Sequence, residues 1–430
     1  MLREFDYENL PIVDIVNEIL VDAIKKNASD IHFDPNEQGL RIRMRIDGVL
    51  IDYSNAPSFV MKNMITRIKI LAGMNITESR LPQDGAIKNQ LEGYNLDLRV
   101  SSLPVTNGEK IVIRLLDYSM SLKGLDKIDF TPENLDLVNK MIATPNGIIL
   151  VTGATGSGKS TTVYSILQQL NKPDTNIITV EDPVEMKIAG INQVQVMSEI
   201  GMTFAAALRS ILRQDPNIIM IGEIRDDETA RIAVRASITG HLVLSTIHTN
   251  NSLNTIERLL DMEVERYLLG SALEGIISQR LARRLCNNCK KATPATEYEK
   301  NLIKKVINID INEIYKPVGC DQCINGYKGR IAIHEVLRLN QEIRDAITSN
   351  INKKEFRELV YNKSNVSTLL QDGLKKVVAG HTSFEEIIKL IDITEDYIGN
   401  DSIKSTLMGK VNTSQKINND VKENLEILDL

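Results

Sequence analysis

Gly153-Ala154-Thr155-Gly156-Ser157-Gly158-Lys159-Ser160 is the stretch on which the reading of this 430-residue chain turns. It meets the pattern G-x-x-x-x-G-K-[ST] at every fixed position. The apolar run Ile148-Ile149-Leu150-Val151 precedes it and reads as a buried strand. Thr161-Thr162-Val163-Tyr164-Ser165-Ile166-Leu167 follows and reads as a helix. Glycines here let the backbone turn tightly enough for several N–H groups to face one point, and the helix N-terminus adds partial positive charge. Such a loop holds the phosphates of a nucleoside triphosphate. The expected nucleotide-binding residues are Gly153, Ala154, Thr155, Gly156, Ser157, Gly158, Lys159, Ser160 and Thr161. Lys159 is expected to reach the terminal phosphates, and Ser160 to ligate Mg²⁺ through its hydroxyl.

The length implies two or three domains. With 42% hydrophobic and 25% charged residues, the composition is that of a soluble globular protein. A net charge of −6, 4% aromatic residues and no Trp argue against a polycationic nucleic-acid binder and against base-stacking platforms. No basic-then-apolar leader opens the chain, and no run reaches the roughly 18 apolar residues of a membrane span.

Working outward, residues 11–27 carry a helical apolar stripe. Ile31–Phe33, Arg41–Ile46, Leu96–Val100 and Lys110–Leu116 read as strands, and Phe59–Ala72 as a helix. Asp47-Gly48 is a hairpin turn signal. This predicts an α+β domain over residues 1–117, with 118–127 as linker. From 131 to about 282 strands and helices alternate, the strands being Ile148–Thr152, Ile177–Glu181, Ile218–Ile221 and His241–Thr246. Right-handed crossovers and a mostly parallel sheet follow, with ligands at the C-terminal strand ends. A helical segment is expected after the last cysteine, to about 395. The Asn-, Ser-, Lys- and Asp-rich residues 396–430 form a tail.

Four further motifs carry chemistry. Glu181-Asp182-Pro183-Val184-Glu185 puts three carboxylates at a strand end, where they can hold a metal-bound water or orient an attacking one; a solvated acidic turn has the same pattern. Asp215-Pro216-Asn217-Ile218-Ile219-Met220-Ile221-Gly222-Glu223 is an apolar strand ending in an acid. Gly222 stands where many nucleotidases have Asp, which leaves Glu223 to polarise the water. In Thr239-Gly240-His241-Leu242-Val243-Leu244-Ser245-Thr246-Ile247-His248-Thr249-Asn250, two of five histidines flank one strand. A histidine near the γ-phosphate can report nucleotide state, and a structural histidine fits each position equally. Cys286-Asn287-Asn288-Cys289 and Cys320-Asp321-Gln322-Cys323 can close a tetrahedral structural Zn²⁺ site, with a redox dithiol as the alternative. Arg99 and Arg114 lie on predicted strands, where arginines are ordinarily solvated or paired.

Taken in order, the phosphate loop, Glu181–Glu185, the strand ending at Glu223, the two-histidine strand and the paired Cys-x-x-Cys knuckles resemble the secretion ATPase superfamily of type IV pilus assembly and type II secretion. The resemblance extends through Ala28-Ser29-Asp30-Ile31-His32-Phe33, Arg80-Leu81-Pro82-Gln83-Asp84-Gly85, Gln279-Arg280-Leu281 and Leu369-Leu370-Gln371-Asp372-Gly373, and covers roughly residues 8–393. It implies an α/β fold: a RecA-like P-loop ATPase domain over 128–395, with a Cys₄ zinc subdomain at 283–330, behind a PAS-like N-terminal α+β domain. It implies ATP, Mg²⁺ and Zn²⁺ as cofactors and a homohexameric ring. Glu223 is then the catalytic carboxylate, Glu181 supports water or metal, and His241 and His248 sense the γ-phosphate. Arg99 and Arg114 reach the nucleotide from the N-terminal domain, often across a subunit boundary.

The implied function is a cytoplasmic motor, peripheral to the cytoplasmic membrane. It powers type IV pilus assembly through a polytopic inner-membrane platform protein, with no direct nucleic-acid contact. A type II secretion or competence pseudopilus ATPase, a retraction motor and a DNA translocase are the alternatives. Retraction members lack the cysteine insertion, so the four cysteines favour assembly. The separate docking domain of many relatives is not in this sequence, as expected of a short natural variant or of a truncated chain, and type II secretion usually comes with it. Ala86 stands where the family often has Arg.

Overall fold

The structure is a computed structural model that describes residues 2–91, 94–115, 124–364 and 366–391, with backbone alone over 89–91 and 94–97. Most of the expected linker and all of the expected tail lie outside the described residues.

The N-terminal unit runs α1 (Ile12–Lys25), β1 (Ala28–Asn36), β2 (Gly39–Ile46), β3 (Val49–Pro57), α2 (Ser58–Leu71), β4 (Gln83–Leu91), β5 (Tyr94–Val105) and β6 (Gly108–Leu115). Its antiparallel sheet has the order β3-β2-β1-β6-β5-β4. Asp47 and Gly48 both take positive φ, 51° and 85°, which is the geometry of a two-residue hairpin, and they set the Ile46–Val49 register. The stripe Ile15, Val16, Ile19, Leu20 and Ala23 buries α1 on one sheet face, against Ile31, Phe33, Ile42, Met44, Ile111 and Ile113. Strand alternation sends Asp30, His32, Asp34, Arg43, Arg45, Arg99 and Arg114 to the opposite face. Strand β4 was not expected from the sequence: among its side chains that are described, Ile87 alone is buried.

The second unit begins with α3 (Pro132–Ile142), β7 (Gly147–Thr152), α4 (Lys159–Leu170), β8 (Ile177–Glu181), β9 (Asn192–Gln195), α5 (Phe204–Ile211), β10 (Ile218–Ile221) and α6 (Asp227–Ile238). It continues with β11 (Leu242–Ile247), α7 (Ser252–Asp261), α8 (Arg266–Ala272), β12 (Leu273–Leu285), β13 (Lys291–Pro294), α9 (Glu297–Ile307), β14 (Glu313–Lys316) and β15 (Tyr327–Arg338). The helices α10 (Gln341–Ser349), α11 (Lys353–Arg357), α12 (Leu369–Val378) and α13 (Phe384–Leu390) close the unit. Its seven-stranded sheet has the order β15-β12-β7-β11-β10-β8-β9, parallel except for β15. Strands β7, β8, β10 and β11 are buried at every position, as helices on both faces require.

One more finding departs from the sequence reading. Residues 327–338 form a strand, β15, where a helix was expected, and β12 prolongs the sheet beside it. Both carry polar residues at buried positions (Gln279, His334, Glu335), so neither shows an apolar run. The cysteine-bearing segment also shares one core with the C-terminal helices, in which Leu302, Ile303, Ile331 and Ile333 pack with Leu370, Leu374 and Ile387.

Candidate active site

Strands β7, β11, β10 and β8 run parallel, with Thr152 beside Ile247, Ser245 beside Ile221 and Ile221 beside Val180. The residues that follow each strand therefore meet at one sheet edge. The phosphate loop lies after β7, His248 after β11, Glu223 after β10, and Glu181–Glu185 at the end of β8.

Gly158 caps α4 at φ 90°, and a Cβ there would sit 2.7 Å from Gln279 Nε2. Glycine is demanded by both the conformation and the neighbour. Gln279, on β12 and 2% exposed, clamps the loop from outside: Nε2 donates to the Ser157 carbonyl at 2.8 Å, and Oε1 accepts from the Thr162 hydroxyl at 2.6 Å. The Lys159 ammonium folds back onto the carbonyls of Gly153 (2.9 Å) and Ala154 (3.2 Å), and its burial lowers its pKa. Ser160 is exposed, so its hydroxyl is open to a ligand. Gln279→Ala strands two buried partners at about 1–3 kcal/mol each. The expected result is an ATP KM raised about tenfold together with a lower melting temperature, read by nucleotide titration and thermal unfolding.

Glu223 sits between two bases. Arg225 donates to its Oε1, and His248 Nε2 lies 3.4 Å from its Oε2. Burial first, then the Lys159 charge, push the His248 imidazole below the ordinary histidine range, so it is neutral at pH 7. The glycine before Glu223 has a packing cause: a Cβ on Gly222 would lie 3.3 Å from Glu181 Cα and 3.4 Å from the Val180 carbonyl oxygen. A larger residue there would need the end of β8 to give by a few tenths of an ångström.

The two histidines separate. His241 precedes β11, and its backbone carbonyl accepts from Gly147 N at the start of β7, at the far edge of the sheet. At about 3.3 Å per residue, the strand puts His241 roughly 20 Å from His248. Its Nδ1 lies 2.9 Å from the Ala236 carbonyl oxygen. This corrects the expectation that both histidines face one γ-phosphate: within a chain only His248 adjoins the phosphate loop, because six intervening strand residues carry its partner to the other edge.

Glu181 is buried and occupied by three donors: the Tyr164 hydroxyl, the Thr179 hydroxyl at 2.6 Å and Gln193 Nε2 at 3.1 Å. Glu185 instead meets the N-terminal unit, with Arg99 Nη2 2.9 Å from its Oε2. Arg99 and Arg114 face each other across β5 and β6, and Arg114 pairs with Asp30 at 3.0 Å. Ala86 is the next residue in that row, so an arginine there would stand beside Arg99.

The four cysteines converge as a separate cluster. Their sulfurs lie within 4.8 Å of one another, with contacts of 3.9 Å (Cys286–Cys320), 3.7 Å (Cys289–Cys323) and 3.6 Å (Cys320–Cys323). Disulfides need about 2.05 Å. A tetrahedron with Zn–S bonds of about 2.3 Å has S···S edges of about 3.8 Å. Amides of Gly319 and Cys320 donate to the Cys289 and Cys323 sulfurs, each at 3.3 Å, as thiolates require. The donor set fits a closed structural metal site and leaves no position for substrate.

A family profile described as "Type II/IV secretion system protein" matches residues 6–389. The chain belongs to that family. It is 44% identical over 384 residues to the type II secretion system protein E of Aeromonas hydrophila, a match that covers 89% of this chain and 76% of the relative. It is 47% identical over 386 residues to the type IV pilus assembly ATPase PilB of Myxococcus xanthus, at 89% and 68% coverage. The crystal structure of the pilus retraction motor PilT with bound ADP superposes with a TM-score of 0.60 at 27% identity, and covers 88% of this chain and 98% of that one. The Legionella pneumophila ATPase DotB, at 22% identity and TM-score 0.67, shares the fold. As a secretion ATPase, this chain has three site residues that its motifs did not single out: Gln279, Arg225 and Tyr164. Gln279 was visible within Gln279-Arg280-Leu281 and Arg225 two residues after Glu223, whereas nothing local marks Tyr164.

Proposed function

We propose that this chain is a hexameric ATPase motor that powers type IV pilus assembly at the cytoplasmic face of the membrane, working on a polytopic platform protein. The observation that carries the reading is the meeting of Lys159, Glu223 and His248 at one sheet edge, with Arg99 of the N-terminal unit facing the same edge. The loop amides and Lys159 hold the phosphates, and the Ser160 hydroxyl holds Mg²⁺, which neutralises phosphate charge when bound. Glu223 orients the water and takes its proton as the bond to the γ-phosphorus forms and the bond to ADP breaks. His248 follows that change through its contact with Glu223. Arg99 and Arg114 bring positive charge from the N-terminal unit, so that closing on ATP and reopening after hydrolysis converts chemistry into domain motion. Zn²⁺ on Cys286, Cys289, Cys320 and Cys323 has a structural role.

Type II secretion is the second reading, supported by relatives of that name at equal identity. The four-cysteine cluster favours either over retraction. The test is a chromosomal Glu223→Gln allele scored against a clean deletion. Bald cells in both support assembly. Hyperpiliated cells mean retraction, and unchanged pili with a secretion defect mean the type II system.

A further inference from the structure

Of the acidic side chains at the catalytic edge, three have partners within their own domain: Glu181 accepts from Tyr164, Thr179 and Gln193, Glu223 from Arg225, and Asp182 also faces Arg225, at 4.0 Å. Glu185 differs. Among the described residues of this edge, it is the one whose ion pair crosses to the N-terminal unit. Arg99 grips it with both terminal nitrogens, Nη2 at 2.9 Å from Oε2 and Nη1 at 3.4 Å from Oε1. Its Oε2 is shut off from solvent and accepts no hydrogen bond beyond this ionic contact. The Glu185 backbone lies beside the Tyr164 hydroxyl, and Tyr164 lies on α4, the helix that leaves the phosphate loop. Glu185 therefore stands between the cation of one domain and the phosphate-binding helix of the other.

We propose that Glu185 is the exchange partner of Arg99, a positioning residue that γ-phosphate must displace before the N-terminal unit can close on ATP. This rests on the ATPase reading above. A guanidinium fork binds carboxylate and phosphate by the same paired geometry, so the two anions compete for one cation. A terminal phosphate carries more charge and more acceptor oxygens than a carboxylate and wins the exchange. A diphosphate ends one phosphate short and leaves Arg99 on Glu185. Once Arg99 departs, the enclosed Oε2 has lost the one cation that contacts it among the described residues and needs water or a proton. That makes the two arrangements discrete, and it ties closure to the presence of the third phosphate.

The test is equilibrium binding of ADP and of a non-hydrolysable ATP analogue to the full-length purified chain. Four versions are compared: unaltered, Glu185→Gln, Arg99→Ala and the double variant. Circular dichroism melts check that each is folded. A half-exposed pair is worth up to about 1 kcal/mol, or about fivefold in affinity. Glu185→Gln is expected to tighten the triphosphate analogue by up to about fivefold and leave ADP unchanged, and in the Arg99→Ala background it changes neither. A merely structural Glu185 would weaken both nucleotides or shift them together whether or not Arg99 is present, and either result overturns the exchange. Absence of Lys159-dependent nucleotide binding in the unaltered chain would instead overturn the ATPase reading itself.

Discussion

Glu223→Gln is expected to lower steady-state phosphate release by at least about a hundredfold and to leave ATP affinity within a few-fold of the unaltered protein. The geometry separates the two effects. Binding rests on the loop amides, on Lys159 and on the Gln279 clamp, none of which uses Glu223 as a hydrogen-bond partner. The substitution keeps the shape of the side chain and one acceptor oxygen for Arg225, so the loop after β10 stays in place. What is lost is a group able to take a proton from water, and general-base assistance is typically worth about 10²–10⁴ in rate. Lys159→Ala should give the opposite split, because it removes the ammonium that the loop encloses: nucleotide binding itself weakens, and turnover falls as a consequence. Phosphate release at saturating ATP, measured beside fluorescent-nucleotide titration, distinguishes the two. If Glu223→Gln kept full turnover, the catalytic carboxylate would have to be sought elsewhere on the same edge. Glu181 would be a poor substitute, since all three of its donors would have to be released first.

What the sequence made legible was local chemistry. The phosphate loop needs glycine where the backbone turns left-handed or another segment of the chain presses close, and that requirement is written in eight consecutive residues. The parallel strands were legible because both faces of each are covered, which leaves short, mostly apolar runs to read. Strands β12 and β15 were hidden for the converse reason. Gln279, His334 and Glu335 are buried, yet singly each looks like a surface residue. Gln279 reaches Ser157 and Thr162 across more than a hundred residues, and no window of sequence contains such a contact. His241 and His248 read as a pair because they bracket one strand symmetrically. In space a strand separates its two ends by its full length, so the symmetry marks opposite edges of the sheet. The Arg99–Glu185 pair was invisible for a related reason: each half was an ordinary charged residue until the two units were set side by side.

Cys286→Ser should lose zinc and give an early unfolding transition centred on the cysteine-bearing segment and the helices packed on it. Cys286 is 2% exposed, and its amide donates to the Gly326 carbonyl, so it joins the first knuckle to the second even before a metal is considered. Structural zinc contributes about 10–16 kcal/mol in small finger peptides. That is comparable to the whole stability of an ordinary domain, about 5–15 kcal/mol. Three thiolates and a hydroxyl hold zinc far more weakly than four thiolates, so the segment from Cys286 to Cys323 loses its principal cross-link. The damage has a defined reach. Through the shared core of Ile303, Ile331, Leu374 and Ile387 it loosens α9, α12 and α13. Through Gly329, whose amide donates to Asp47 at 2.7 Å, it loosens the seat of the N-terminal hairpin. The cluster that holds β10, β11 and α6 is built from other residues and should melt at its original temperature. Two transitions in calorimetry, with metal content falling from one zinc per chain to none, is the expected result, and a zinc chelator should reproduce it in the unaltered protein. A zinc-free Cys286→Ser protein with a single, unshifted transition would show that the four cysteines hold the unit together without metal.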